Sequence, residues 1–127
     1  MMDMVERWHT YVKSDDAAML DAMLADDAVF ESPVVHTPQR GKAITFKYLR
    51  SAAAVLNSEA FTYTGEWRAE RSAILEFESE IDGIKLNGID MIWWNEDDQI
   101  TRFKVMVRPL KAVNMLHQMM GAQLASK

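Results

Sequence analysis

The dipeptide Asp82-Gly83 stands between two stretches that alternate apolar and polar residues, and no other feature of the chain constrains its fold as tightly. A two-residue type I′ turn needs positive φ at both central positions, which Asp-Gly supplies at low cost, so the pair predicts a β-hairpin. Register follows from the turn, because a slip of one residue would move every side chain to the opposite face. Ile81 then pairs with Ile84, Phe77 with Gly88 and Leu75 with Asp90. Glu80 faces Lys85, an opposite-charge pair that supports the choice. One face carries Leu75, Phe77, Leu86, Asp90, Ile92 and Trp94. The other carries Glu76, Glu78, Glu80, Lys85 and Asn87 near the turn, with Ile74, Ile89, Met91 and Trp93 farther from it.

A second turn, centred on Asp97-Asp98, tests this parity independently. It predicts Trp94 opposite Thr101, Ile92 opposite Phe103 and Asp90 opposite Val105, with Arg102 and Lys104 falling against Trp93 and Met91. Both hairpins place Asp90 on the inner, apolar face. A carboxylate there is costly unless it is hydrogen-bonded, protonated or facing a wet cavity. One reading makes Asp90 an internal tie to a backbone amide or to the indole of Trp8. The other, adopted here, makes it a pocket acid whose pKa is raised by desolvation, able to donate a hydrogen bond at neutral pH.

The rest of the chain supplies helices. Val5, Trp8 and Val12 recur at helical spacing, as do Met19, Leu20, Met23 and Leu24 after the capping oxygens of Ser14-Asp15-Asp16. Asp26-Asp27 is expected to end the second helix, and Ala28–Ser32 to form a short strand stopped by Pro33. Val34–Gly41 reads as a loop, and a third helix runs from Gly41 to about Asn57, with Ile44, Tyr48, Ala52 and Val55 on one stripe. From Glu59 to Arg108 the period is that of strands, broken at Glu70-Arg71, Asp82-Gly83 and Asp97-Asp98. A closing helix spans Leu110–Leu124, with Leu110, Val113, Met120 and Leu124 as its apolar positions. Helices, a four-strand meander and a final helix make an α+β class. The 127 residues suffice for one core, so one domain is expected over residues 1–127.

Composition narrows the function. A net charge of −5 argues against nucleic-acid binding. The absence of cysteine removes disulfides, thiolate catalysis and cysteine-ligated zinc. No apolar run approaches the ~20 residues that span a bilayer, and the start lacks a signal peptide's pattern, so no membrane association and a cytoplasmic location are expected. His9 and His117 lack a helical-spaced partner, so no metal is expected, and no cofactor motif is present. His36 lies on a loop held by Pro33 and Pro38, where it can reach the open end of a cavity. Ser32 lacks nucleophile-elbow glycines and reads as a strand-end hydroxyl, and Arg108 as a surface cation. Phe61, Tyr63 and Trp67 alternate along one strand. A two-residue loop at Glu70-Arg71 would put Trp67 outside, and a three-residue loop would put it inside.

Ala25-Asp26-Asp27-Ala28-Val29-Phe30-Glu31-Ser32-Pro33, Gly41-Lys42-Ala43-Ile44 and Gly88-Ile89-Asp90, with a last strand closed by a helix, resemble the nuclear transport factor 2-like superfamily over essentially the whole chain. Its enzymatic members include ketosteroid isomerases and SnoaL-like polyketide cyclases. The resemblance implies a curved antiparallel sheet wrapped around N-terminal helices, a cone with an internal apolar pocket, and usually a homodimer. It places Asp90 where the isomerases keep the aspartic acid of the oxyanion hole. The isomerase base would fall at Ser32 and the isomerase tyrosine at Trp8, so two of three groups differ. For cyclase-type chemistry, a pocket Asp working without a cofactor, Asp90 suffices, with His36 as second proton carrier.

The expected function is therefore a cofactor-independent isomerase- or cyclase-like enzyme acting on an apolar small molecule. Asp90 and His36 are its catalytic residues, Trp8, Ser32 and Tyr48 contact the ligand, and Ile92, Phe103 and Val105 line the wall. The alternatives are a non-catalytic ligand-binding module with the same pocket and an interaction module. In the last case the outer face, with Ile89, Met91 and Trp93, forms the contact, read first as a homodimer interface.

Overall fold

The computed structural model describes residues 3–125. Its elements run α1 (Met4–Ser14), α2 (Ala17–Met23), β1 (Leu24–Glu31), β2 (Gln39–Arg40), α3 (Lys42–Leu56), β3 (Thr62–Arg68), β4 (Ser72–Ile81), β5 (Ile84–Trp94), β6 (Ile100–Arg108) and α4 (Leu110–Ala125). The strands form one curved, unclosed six-stranded sheet in the order β2-β1-β6-β5-β4-β3. The helices pack on its inner face, so the class is α+β.

The turn chemistry behaves as local sterics require. Asp82 and Gly83 both have positive φ, at 51° and 78°, and the β4–β5 ladder runs in the predicted register from Ile81↔Ile84 through Leu75↔Asp90. In β5–β6 the pairs Ile92↔Phe103 and Asp90↔Val105 are as expected, but Trp94 meets Ile100 rather than Thr101, because the ladder shifts between Trp93 and Trp94. Gly88 is required by close approach. A Cβ there would sit 2.5 Å from Phe77 Cζ and 2.6 Å from the Met106 carbonyl oxygen.

Capping separates the first two helices. Asp3 accepts from the Glu6 amide at 2.9 Å, Asp15 ends α1 in the left-handed conformation, and Asp16 accepts from the Ala18 amide at 3.0 Å. Three expectations are corrected. The second helix stops at Met23, and Asp26-Asp27 lies exposed within β1. Leu24, Ala25 and Ala28 are buried around an irregularity between Leu24 and Val29, and this spacing imitates the helical period. The strand expected at Ala28–Ser32 is present as the second half of β1, paired parallel to β6, but β2 forms inside the expected loop. Finally, α4 buries Ala112, Leu116 and Met120 while Leu110 stays 74% exposed, so the helix is rotated from the predicted stripe.

The core gathers Trp8 and Tyr11 of α1, Phe30 of β1, Leu49 of α3, and Leu75, Phe77, Ile92, Phe103 and Val105 of the sheet. On the outer face Ile74, Ile89, Met91 and Trp93 are half-buried, and the Arg102 guanidinium lies 4.3 Å from the Trp93 ring centre. Trp67 (57%) and Met106 (48%) are exposed. No helix among the described residues is long and apolar enough to cross a membrane.

Candidate functional site

Asp90, on the inner face of β5, is only 6% exposed. Its one side-chain hydrogen bond among the described residues comes from the Tyr63 hydroxyl, which donates to Oδ2 at 2.7 Å. The Trp8 indole N–H in turn donates to the Tyr63 oxygen at 2.8 Å. The direction of this chain is forced. An indole N–H can only donate, so the Tyr63 oxygen accepts from Trp8 and its proton goes to Asp90. Oδ2 is thereby an acceptor, and when Asp90 is neutral its proton belongs on Oδ1. Burial pushes the Asp90 carboxyl up to about 7, with the Tyr63 bond acting in the opposite direction. Burial, then the Asp90 charge and hydrogen bond, hold the Tyr63 hydroxyl well above its ordinary range.

Tyr63 reaches this position through a bulge. The two-residue loop at Glu70-Arg71 pairs Trp67 with Ile74 on the outer face, and strict alternation would send Tyr63 outward as well. The β3–β4 ladder shifts between Tyr63 and Gly65, so Tyr63 lies opposite Phe77 and points inward. The expectation that Phe61, Tyr63 and Trp67 share one face is therefore corrected: Phe61 and Tyr63 contact Phe77, and Trp67 is outside. The sequence signal was Gly65, since an isolated glycine in a strand marks a bulge.

Asp90 borders a cavity of about 40 Å³, walled by Trp8, Leu49, Ala52, Leu56, Phe61, Phe103 and Val105. A bound water needs roughly 10–15 Å³, so the space takes a few waters, and a larger guest requires side chains to move. Val12, Ala53 and Asn57 also border it and, with Asp15, Arg50 and Ala54, line an outer hollow of about 370 Å³. Tyr11 is buried and lines the inner cavity, and its hydroxyl meets Arg50 of the outer hollow. Arg50 Nη1 donates to the Tyr11 hydroxyl at 3.1 Å and to Asp15 Oδ1 at 2.8 Å. Burial raises the Tyr11 hydroxyl pKa, and Arg50 opposes the shift.

Of the residues singled out by sequence, Asp90, Trp8, Phe103 and Val105 come together at this cavity. Trp8 meets Asp90 through Tyr63 and not directly. Ile92 is fully buried in the core behind the wall, and Tyr48 is half-buried with its ring 5.3 Å from that of Phe30. His36 and Ser32 are elsewhere. They line a separate, open hollow with Glu31, Lys104 and Met106, and Ser32 Oγ accepts from the Val34 amide at 3.1 Å. Val105 borders both spaces, but His36 lines only this second hollow and not the Asp90 cavity. Tyr63, Tyr11 and Arg50 are the site residues that sequence reasoning did not assign. Among the described residues no cluster of three or more His, Asp or Glu side chains is arranged to hold a metal.

Residues 5–103 match the SnoaL-like domain family. No curated protein matches the chain. Among solved structures, a steroid delta-isomerase from Pseudomonas aeruginosa is 35% identical with a TM-score of 0.90, over 97% of this chain and 90% of that one. An uncharacterized protein with a cystatin-like fold from Silicibacter pomeroyi DSS-3 is 28% identical with a TM-score of 0.87, over 97% and 86%. The epoxide hydrolase/cyclase-like enzyme SalBIII, of pyran ring formation in the polyether salinomycin, is 15% identical with a TM-score of 0.67 over 84% and 89%, a likeness of fold. The chain belongs to the SnoaL-like domain family, within the nuclear transport factor 2-like superfamily.

Proposed function

For this member of the SnoaL-like family we propose cofactor-independent acid/base catalysis of the isomerase or cyclase kind on an apolar small molecule, with Asp90 as the proton carrier. The observation that carries the reading is the asymmetry of Asp90. One oxygen accepts from Tyr63, the other has no hydrogen-bond partner among the described residues, and the residue borders a largely apolar cavity. As a carboxylate, Asp90 takes a proton from an acidic C–H of the substrate. As the neutral acid it returns that proton to another carbon or to an oxygen, so the group is regenerated in each turnover. A carboxyl whose pKa is raised to about 7 serves both halves near neutral pH.

The test uses cyclohex-3-enone, a small β,γ-unsaturated ketone whose conversion to the conjugated enone is followed by ultraviolet absorbance. The protein should accelerate conjugation, with a rate that rises as pH passes through about 7, and Asp90→Asn should abolish the acceleration while keeping the fold. The cavity contains no second carboxylate or histidine beside Asp90 among the described residues, and this favours one alternative, a ligand-binding module. Binding of the ketone, seen as a shift of the Trp8 indole N–H resonance, without any acceleration would select that alternative. Absence of binding would remove both readings.

The same reading includes a homodimer built on the outer sheet face, because Ile74, Ile89, Met91 and Trp93 with the exposed Trp67 and Met106 leave an apolar surface for a second copy to cover. A monomer in analytical ultracentrifugation at micromolar concentration would contradict it.

A further inference from the structure

The mouth of the Asp90 cavity is chemically unlike its interior. Val12, Ala53 and Asn57 border both the inner cavity and the outer hollow, so the two are adjacent between α1 and α3. The outer hollow carries the Arg50 guanidinium and the Asn57 amide beside Asp15. Arg50 makes all its bonds through Nη1, to the Tyr11 hydroxyl, the Asp15 carbonyl and Asp15 Oδ1, so Nε and Nη2 have no partner among the described residues. Because the Tyr11 oxygen accepts from Arg50, its own proton remains to be donated. Asp15 is the opposing charge. It is held on the Nη1 side of the guanidinium by its left-handed position at the end of α1, which leaves Nε and Nη2 without a partner among the described residues. The edge they form matches a carboxylate with two parallel N–H···O bonds.

We propose that the ligand of this site is an amphipathic carboxylate, its apolar body directed toward Asp90 and its carboxylate held in the outer hollow by Arg50. This rests on the reading of the Asp90 cavity as the ligand site and adds the charge and polarity of the ligand to it. A neutral molecule of the same shape would gain nothing from the unpartnered Nε and Nη2 of Arg50.

The experiment compares 4-phenylbutyrate with 4-phenylbutanol, matched in shape and different in charge, at pH 7.5. Occupancy is read from the Trp8 indole N–H resonance, assigned by its loss in Trp8→Phe. The carboxylate should bind about tenfold more tightly than the alcohol, the gain expected of one charge-assisted pair. Arg50→Met should bring the two affinities together by weakening the carboxylate alone, Arg50→Lys should keep part of the preference, and Asp15→Asn should increase it. Equal affinities in the unmodified protein, or a preference untouched by Arg50→Met, would overturn the proposal while alcohol binding at Trp8 left the cavity reading standing. Failure of both compounds to move the Trp8 resonance would remove the cavity reading and the proposal with it.

Discussion

Replacing Asp90 with Asn gives a stability effect whose dependence on pH follows from the structure. Unfolded, the Asp90 carboxyl titrates near 3.8, and in the folded protein burial raises it to about 7. Between these values the native state holds a proton that the unfolded state has lost, so stability falls as pH rises. The contribution is fully present below the unfolded pKa, is lost progressively up to the folded pKa, and is flat above it. The slope is about 1.4 kcal/mol per pH unit, and over some three units the loss is on the order of 4 kcal/mol. Asn mimics the neutral acid in this site. Its oxygen accepts from Tyr63 and its amide takes the place of the protonated Oδ1, but it never ionises. Asp90→Asn should therefore be close to the unmodified protein in stability at pH 4, and should gain on it steadily to an advantage of about 4 kcal/mol at pH 8. The assay is urea unfolding of both proteins at half-unit pH steps, with the difference in unfolding free energy plotted against pH. The difference isolates Asp90, because Asp3, Glu31 and Glu66, which hydrogen bonds hold below their ordinary range, titrate in both proteins. A difference that stays constant from pH 4 to 8 would refute the argument that Asp90 is buried at a cost.

Tyr63→Phe removes the bond that opposes the Asp90 shift, so the Asp90 midpoint, followed by carboxyl carbon NMR, should move above about 7. The Trp8 indole loses its acceptor, and stability should drop by about 1–3 kcal/mol. An unchanged midpoint would show that Tyr63 does not set the acidity of Asp90. Gly88→Ala puts a methyl 2.5 Å from the Phe77 ring and 2.6 Å from the Met106 carbonyl oxygen. The carbonyl belongs to the β6 backbone and cannot step aside, so the thermal midpoint should fall by the equivalent of about 1–3 kcal/mol; a neutral substitution would mean that the β5–β6 ladder is looser than described.

Sequence alone determined how β4, β5 and most of β6 pair. Asp82-Gly83 sets a turn whose dihedrals few other residue pairs accept, and the two-residue alternation carries that register outward to Asp90. Side-chain parity then needs no tertiary information to put a carboxylate inside. The same alternation fails at the first bulge. Tyr63 points inward only because the β3–β4 ladder shifts beside Gly65, and the turn at Glu70-Arg71 by itself carries no record of that shift. Contacts between distant segments were decided by packing: the parallel pairing of β1 with β6, the Arg50 bonds to Tyr11 and Asp15, the rotation of α4, and the separation of His36 from the cavity. These join residues many positions apart, where no local turn or period transmits geometry. The site is divided accordingly. Its acid was legible from strand parity, while the hydroxyl that holds one oxygen of that acid and the cation at the mouth exist as a site only in the folded chain.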